Sequence, residues 1–440
     1  MNHLKQLKTM VQELLQEAKN QGASNAEAAV SSDQGLSVTV RLGEIETVEQ
    51  THDQGLGVTV YMGQHKGSAS TTDFSAGAIK ETVSKACTIA RYTSEDPYAG
   101  LGDPDRMPLD YPDLDLYHPW DIGVAQAAEL ALSCEQAARD ADERITNSEG
   151  ASLNTHSGSF IYGNTHGFVG GYPFSRHSLS CIVMAQQGDS MQRDYWYSSN
   201  RLPDRLDTPD SIGKEVARRA VRKLHARKLS TRQAPVIFSA DTAPGLLMGL
   251  IGAISGHAQY RKSSFLLDAL GQQLFPGWVR IYENPLLTRG LSSAPFDNEG
   301  IATSAKDIVS GGVLQTYVLD SYGARKLGMQ STGNAGGVKN LAIAPGDKDL
   351  PALLKEMGTG LLVTELMGQG LNSVTGDYSR GATGLWIENG EIKYPVEEIT
   401  VAGNMKDMYQ QLVAVGNDTD NPGSISTGSW LFENMTIAGE

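Results

Sequence analysis

The sequence predicts an α+β protein, with an N-terminal mixed α/β domain followed by a strand-rich C-terminal domain. Three observations carry this. Apolar and polar residues alternate at Leu36-Val38-Val40 and Leu56-Val58-Val60, the mark of half-buried strands. A helix-period stripe precedes them at Leu4, Leu7, Val11, Leu14, Leu15 and Ala18. Glycine fills 48 of 440 positions, which suits strands joined by many tight turns. The chain divides best near residue 228, giving a domain 1–228, divisible into 1–100 and 115–228, and a domain 229–440.

The first stripe is an amphipathic helix, and without an unbroken apolar core or small-residue cleavage site it does not read as a signal peptide. Gly35 to Val40 and Gly55 to Val60 share GLxVTV, which places them as adjacent strands of one sheet. A helix over 76–91 buries Ile79, Val83, Ala86 and Ala90, and the proline- and aspartate-rich 95–115 reads as a surface connection. Asp121 caps a helix through Ala141, three or four strands fill 148–197, and Thr208-Pro209 opens another helix with a hydroxyl cap and proline in the first turn.

In the second half, Pro235 to Ser239 is a strand entering a glycine-rich helix over 243–255. Gly245, Gly249, Ala253 and Gly252, Gly256 form flat strips on it. Each glycine costs about 1 kcal/mol of helix propensity, so a packing or ligand requirement must offset them. Further helices are expected over 321–327 stopped by Gly328, 351–357 stopped by Gly358, and 405–415 capped by Asn404. Gly376 to Gly381 reads as a tight polar turn, Gly384 to Glu388 as a strand, Asn389-Gly390 as a hairpin connection and Ile392 to Val401 as the returning strand.

Composition narrows the function classes. A net charge of −15 disfavours attraction to nucleic acid phosphates. Three scattered cysteines give no disulfide framework, so a reducing, cytoplasmic location is expected. The longest apolar run, Leu246 to Ile254, falls well short of the roughly 20 residues that span a bilayer. No P-loop, nucleophile elbow or dinucleotide fingerprint is present. His257 reads as a helix-end residue facing the dipole or a carbonyl. His156, His166 and His177 read as a strand-rich surface. The basic run Arg218, Arg219, Arg222, Lys223, Arg227 and Lys228 reads as a helix tail, and Asp297 with Glu299 as a charged turn. For Arg261 and Lys262, salt bridging within the fold and contact with a peptide or partner are equally open.

The segment Gly368 to Gly403 closely resembles the C-terminal domain of the PmbA/TldD family, also called modulators of DNA gyrase and read as a cytoplasmic metalloprotease. YRKSSF (Tyr260 to Phe265), FDNEG (Phe296 to Gly300), STGNAGG (Ser331 to Gly337), GTGLLVTELMGQG (Gly358 to Gly370), VGND (Val415 to Asp418), GVTVYMG (Gly57 to Gly63) and KGSASTTDFS (Lys66 to Ser75) extend the likeness over nearly the whole chain. The resemblance implies a barrel-like C-terminal domain around the glycine-rich central helix. The family's protease subunit, TldD, carries H-E-x-x-x-H on that helix and a cysteine near the C-terminus. Here Gly245 to His257 reads GLLMGLIGAISGH, with one histidine and no carboxylate between Asp241 and Asp268. Cys87, Cys134 and Cys181 all precede it, and Pro422 to Gly428 offers only serine and threonine hydroxyls.

The resemblance therefore implies a subunit with no catalytic or metal-binding residues of its own. Zinc is expected in a TldD-type metalloprotease partner that cuts unfolded or short peptides, including peptide antibiotic precursors and antitoxins. Residues expected to face substrate or partner are His257, Arg261, Lys262, Asn334, Gly336, Gly337, Gly376, Asp377, Arg380 and Gly381. A homodimer is plausible without the partner. The alternatives are an autonomous metallopeptidase with an unrecognised site and a regulator binding DNA gyrase or DNA.

Overall fold

The computed structural model describes residues 2–419 and 423–439; Pro422 lies outside the described residues. In the N-terminal lobe, helix α1 (Asn2–Asn20) precedes strands β1 (Asn25–Arg41), β2 (Glu44–Met62) and β3 (His65–Thr71) and helix α2 (Ala76–Tyr92). Helix α3 (Val124–Ala141), strands β4 (Ile145–Asn164), β5 (Val169–Gln187) and β6 (Ser190–Asn200), and helix α4 (Pro209–Val221) follow. The strands form one antiparallel sheet in the order β3-β2-β1-β4-β5-β6.

Strand alternation decides where the helices sit. Ala26, Ala28, Val30, Leu36, Val38 and Val40 all share the even parity of β1, and all are buried. The first three join Val11 and Leu14 of α1 and Val83 of α2; the last three join Ala131 of α3 and Val216 of α4. All four helices thus cover one face. Gly67 is where α2 comes closest: a Cβ there would lie 2.1 Å from the Ala86 carbonyl oxygen. On the other face, Phe296 of the second lobe meets Tyr111, Phe168 and Tyr172 edge-on at 5.1–5.6 Å.

Three expectations for this lobe need correction. Residues 95–115 lack regular structure apart from one short turn of helix and run mostly along the surface, but they are more than a loose connection. Leu101 and Leu114 are buried, and Arg325 donates to the carbonyls of Tyr98, Gly100 and Leu101 while Arg106 donates to that of Ser331. Proline and aspartate signalled irregular backbone, which is a different property from exposure. α3 begins after Gly123, without a side-chain cap, rather than at Asp121. His177 is fully buried, bonded to Thr155 Oγ1 and the His118 carbonyl, rather than on a surface.

The second lobe opens with β7 (Arg232–Phe238), α5 (Pro244–Ala253) and α6 (Gly256–Tyr260). Then come β8 (Ile281–Glu283), β9 (Lys306–Ser310), β10 (Val313–Leu314), α7 (Ser321–Leu327), β11 (Leu341–Ile343) and α8 (Leu350–Met357). The chain continues through β12 (Gly360–Met367), β13 (Asp377–Glu388), β14 (Glu391–Asn404), α9 (Met405–Gln410), β15 (Leu412–Val415), β16 (Ile425–Ser426) and β17 (Trp430–Ala438). One sheet runs β14-β13-β12-β7-β17-β15, and β14 also pairs with β17 through Val401↔Ile437, closing a barrel. A smaller sheet runs β10-β9-β8-β11-β16. Val236 and Phe238 pack with Leu246, Leu247 and Leu250 of α5, whereas Ile237 turns the other way, against Leu353 and Leu354 of α8.

Local signals held at several ends. Thr208 caps α4, Asn404 caps α9, Gly328 ends α7 at φ 65, and Asn389 and Gly390 take φ 54 and 75 in the hairpin. Others were overridden. The helix expected over 405–415 stops at Gln410, because Leu412 and Val415 pair with Phe432 and Trp430. The polar turn lies before Gly376; Asp377 to Gly381 already belong to β13 and pair with β14. The glycine-rich helix breaks at Ile254, where the Ser255 hydroxyl caps a new short helix by accepting from the Ala258 N–H.

Candidate functional site

The glycine-rich helix and the Gly368 to Gly381 segment meet, and sequence spacing explains how. Along α5, Gly245, Met248 and Gly252 share one open face, while Leu246, Leu247, Leu250 and Ile251 are buried. The loop before β13 lies over Gly249, whose Cβ would approach Leu371 at 3.1 Å. Arg380 comes within 3.7 Å of where a Gly245 Cβ would be. Behind the helix, Tyr409 donates to the Leu246 carbonyl at 2.8 Å.

The loop itself is held by its own backbone. Asn372 Oδ1 accepts from the N–H groups of Val374 and Thr375, and Ser379 donates to the Gly370 carbonyl. Gly370 lies so close to β13 that a Cβ would sit 1.8 Å from the Ser379 carbonyl oxygen. Gly376 takes φ 82. Asp377 is exposed, and hydrogen bonds from Thr375 and Asn404 hold its carboxyl below the usual range. Phe265 donates to the Ser373 carbonyl and so ties the YRKSSF segment to this loop. Next to it His257 is exposed, edge-on to Tyr260 at 5.5 Å, and Arg261 and Lys262 are exposed without an ion pair among the described residues. Arg380 and Gly381 are half-buried on β13.

Asn334, Gly336 and Gly337 belong to a different neighbourhood. The Asn334 side chain is buried, donating to Glu283 at 2.8 Å and accepting from Lys306 and Thr332. Glu283, itself buried, also takes Lys306 at 2.9 Å and the Lys339 N–H. Gly336 and Gly337 take φ 89 and 92, and only Gly336 is fully exposed.

Sequence reasoning missed a groove between the lobes. A cavity of about 990 Å³ is lined by Glu27, Tyr61, Lys66, Asp96, Glu299 and Tyr322 among others, and a second hollow of about 430 Å³ shares Glu27, Ser68 and Glu299. Glu27 accepts from both Tyr61 and Tyr162, at 3.0 and 2.9 Å. Glu299 accepts from the Ser321 N–H, yet burial, with Asp297 and Asp320 adding to it, pushes its carboxyl up to about 7. Asp297 is buried and receives the N–H groups of Glu299, Ile301 and Ala335, so the FDNEG turn faces inward rather than solvent. FDNEG, GVTVYMG and KGSASTTDFS each contribute to its lining, but nothing in the sequence brought the three together.

The basic run that begins in the last turn of α4 joins the lobes. Arg219 lies between Asp194 at 3.4 Å and Asp241 at 2.7 Å, over the Trp196 ring. Lys223, fully enclosed, bridges Asp194 at 3.0 Å and Glu365 at 2.6 Å. These two cations are spent in ion pairs within the fold, beyond the helix-end role expected of the run.

Among the described residues no group of three or more His, Cys, Asp or Glu is placed to hold a metal ion. No helix is long and apolar enough to cross a membrane among them.

Residues 26–90, 117–224 and 231–439 match, in turn, domain 1, the central domain and the C-terminal domain of the PmbA/TldA metallopeptidases. The chain is 52% identical over 418 residues to Metalloprotease PmbA of Escherichia coli O157:H7, covering 95% of this chain and 93% of that protein. A solved structure from Bacteroides thetaiotaomicron, named for modulation of a DNA gyrase, superposes with a TM-score of 0.93 at 30% identity, over 98% of this chain and 99% of that one. TldE from Thermococcus kodakarensis shares the fold, with a TM-score of 0.84 at 20% identity over 98% and 100% of the two chains.

Proposed function

The chain belongs to the PmbA/TldD family of metallopeptidases, and on that premise we propose that it is the metal-site-lacking subunit of a TldD/TldE-type heteromeric metalloprotease. The zinc belongs to a TldD-type partner, and the pair cuts unfolded or short peptides in the cytoplasm. One observation carries the reading. Zinc needs imidazole, thiolate or carboxylate donors gathered around an open position, and the open face of α5 presents glycine and methionine instead.

The two lobes correspond to domains 1–228 and 229–440 in this reading. The Gly368 to Gly384 and Ser331 to Gly337 segments line the peptide path on the same reading, and their exposed residues, among them Gly368, Gln369, Asn372 to Thr375 and Gly336, offer backbone to an extended substrate whatever its side chains. Arg261 and Lys262, without an ion pair among the described residues, are available to peptide or partner. The gyrase or DNA reading has less support, since Arg219 and Lys223 of the basic run are buried in ion pairs.

Mixing the chain with a TldD-type subunit should give a co-eluting complex that cleaves an unfolded peptide, with zinc stoichiometric to the partner. Chelator-sensitive cleavage by the purified chain alone would refute the proposal. Gly381→Val and Gly336→Val test the loops separately: cleavage by the reconstituted complex should fall, and unchanged activity in both would remove the loops from the path.

A further inference from the structure

The N-terminal sheet ends in a long open edge that the peptidase reading does not use. β3 covers β2 only from Leu56 to Met62. Upstream, Glu44 to Gln54 pairs with β1 alone, and all 11 of these residues are exposed. The direction of their peptide groups follows from the register. Thr165 donates to the Ala26 carbonyl, and the Ala26 N–H donates to Thr165 Oγ1, so even-numbered residues of β1 turn their peptide groups away from β2. Odd residues face β2, and the pairing Asn25↔Tyr61 through Thr39↔Thr47 assigns the odd residues of β2 to that ladder. Val48, Gln50, His52 and Gln54 therefore direct their N–H and C=O groups outward, and no strand among the described residues receives them.

Of the devices that commonly protect an exposed strand, this edge carries only acidic side chains. From Thr47 to Gln54 it has no proline, lysine or bulge, the usual protections of an exposed strand. Ile45 and Val48 are 50% and 43% exposed. The charge is one-sided: Glu44, Glu46, Glu49 and Asp53 stand against no lysine or arginine in the segment, and Arg41 of β1 reaches only Glu46, at 3.4 Å. We propose that this edge docks an extended segment of a partner polypeptide that bears lysine or arginine at alternate positions, added to β2 as a further strand. Main-chain bonds supply the affinity, and the carboxylates select the cations. A second copy of this chain fits poorly, because pairing β2 with its own mate brings two sets of carboxylates together.

The test uses the full chain alone and reads fluorescence anisotropy of a short labelled peptide in which lysine alternates with valine and threonine. A counterpart with glutamate for lysine should bind at least about tenfold more weakly. Gln50→Pro removes an outward N–H but no bond to β1, and should weaken the lysine peptide about tenfold with the thermal midpoint unchanged. Glu49→Gln with Asp53→Asn should weaken it several-fold at low salt and less in ~0.5 M salt. Equal affinity for the two peptides, or indifference to both variants, overturns the proposal. So does an oligomer of the chain alone that Gln50→Pro dissolves, since the edge would then belong to a second copy.

Discussion

Glu299→Gln tests the electrostatics of the groove between the lobes. Burial holds the Glu299 carboxyl at about 7, against an ordinary value near 4.5. The neutral acid is thus the form the fold favours, and its contribution to stability is complete below pH ~4.5 and lost as pH rises through ~7. At about 1.4 kcal/mol per pH unit, the interval from 4.5 to about 7 corresponds to ~3 kcal/mol. Glu299 is half-buried, so water screens part of this and a change of about 1–3 kcal/mol is expected. Glutamine keeps the shape and carries no charge at any pH. Urea unfolding followed by tryptophan fluorescence should show Glu299→Gln gaining stability relative to the native chain between pH 5 and pH 8. An identical difference between the two proteins at both pH values would refute the assignment of Glu299 as a strained carboxylate.

Two further changes probe how the lobes are joined. Arg201 is buried and donates to the carbonyls of Gly290, Leu116, Ser175 and Leu291, with burial drawing its guanidinium down to about 10. Arg201→Met should cost at least ~3 kcal/mol in chemical denaturation, because several enclosed carbonyls lose their donor; a loss under ~1 kcal/mol would show that water takes its place. Lys223→Met leaves Asp194 buried without its closest cation, and about 3–5 kcal/mol should be lost. Double substitution with Asp194→Asn should recover part of that loss in the same assay, and no recovery would argue against the pair as the cause.

The parts of the fold legible in the sequence were those fixed within a few residues. The proline after Thr208, the Asn389-Gly390 pair and Gly328 each dictate backbone geometry at one point, and each held. What failed depended on distant strands. Leu412 to Val415 has an apolar pattern that continues a helix equally well, and the partners Trp430 and Phe432 decide for a strand. Asp377 to Gly381 carries turn-forming residues, but lies where β14 pairs with it along the full length of the hairpin. Of the site, the sequence placed the glycine-rich helix and the loop before β13 in one motif set, and Phe265 and Leu371 bring them together. It could not show that Asn334 turns inward, which depends on Glu283 and Lys306 from strands of the same lobe, nor that Glu27 and Glu299 share a groove, which depends on how the lobes meet.

Arg325 fastens residues 98–101 of this segment by three peptide oxygens and no side chain. Every amino acid supplies that oxygen, so the segment is free to change its exposed residues over evolutionary time while Arg325 is not. Variation should accumulate on one side of this seam and stay scarce on the other, even though the two sides are in constant contact.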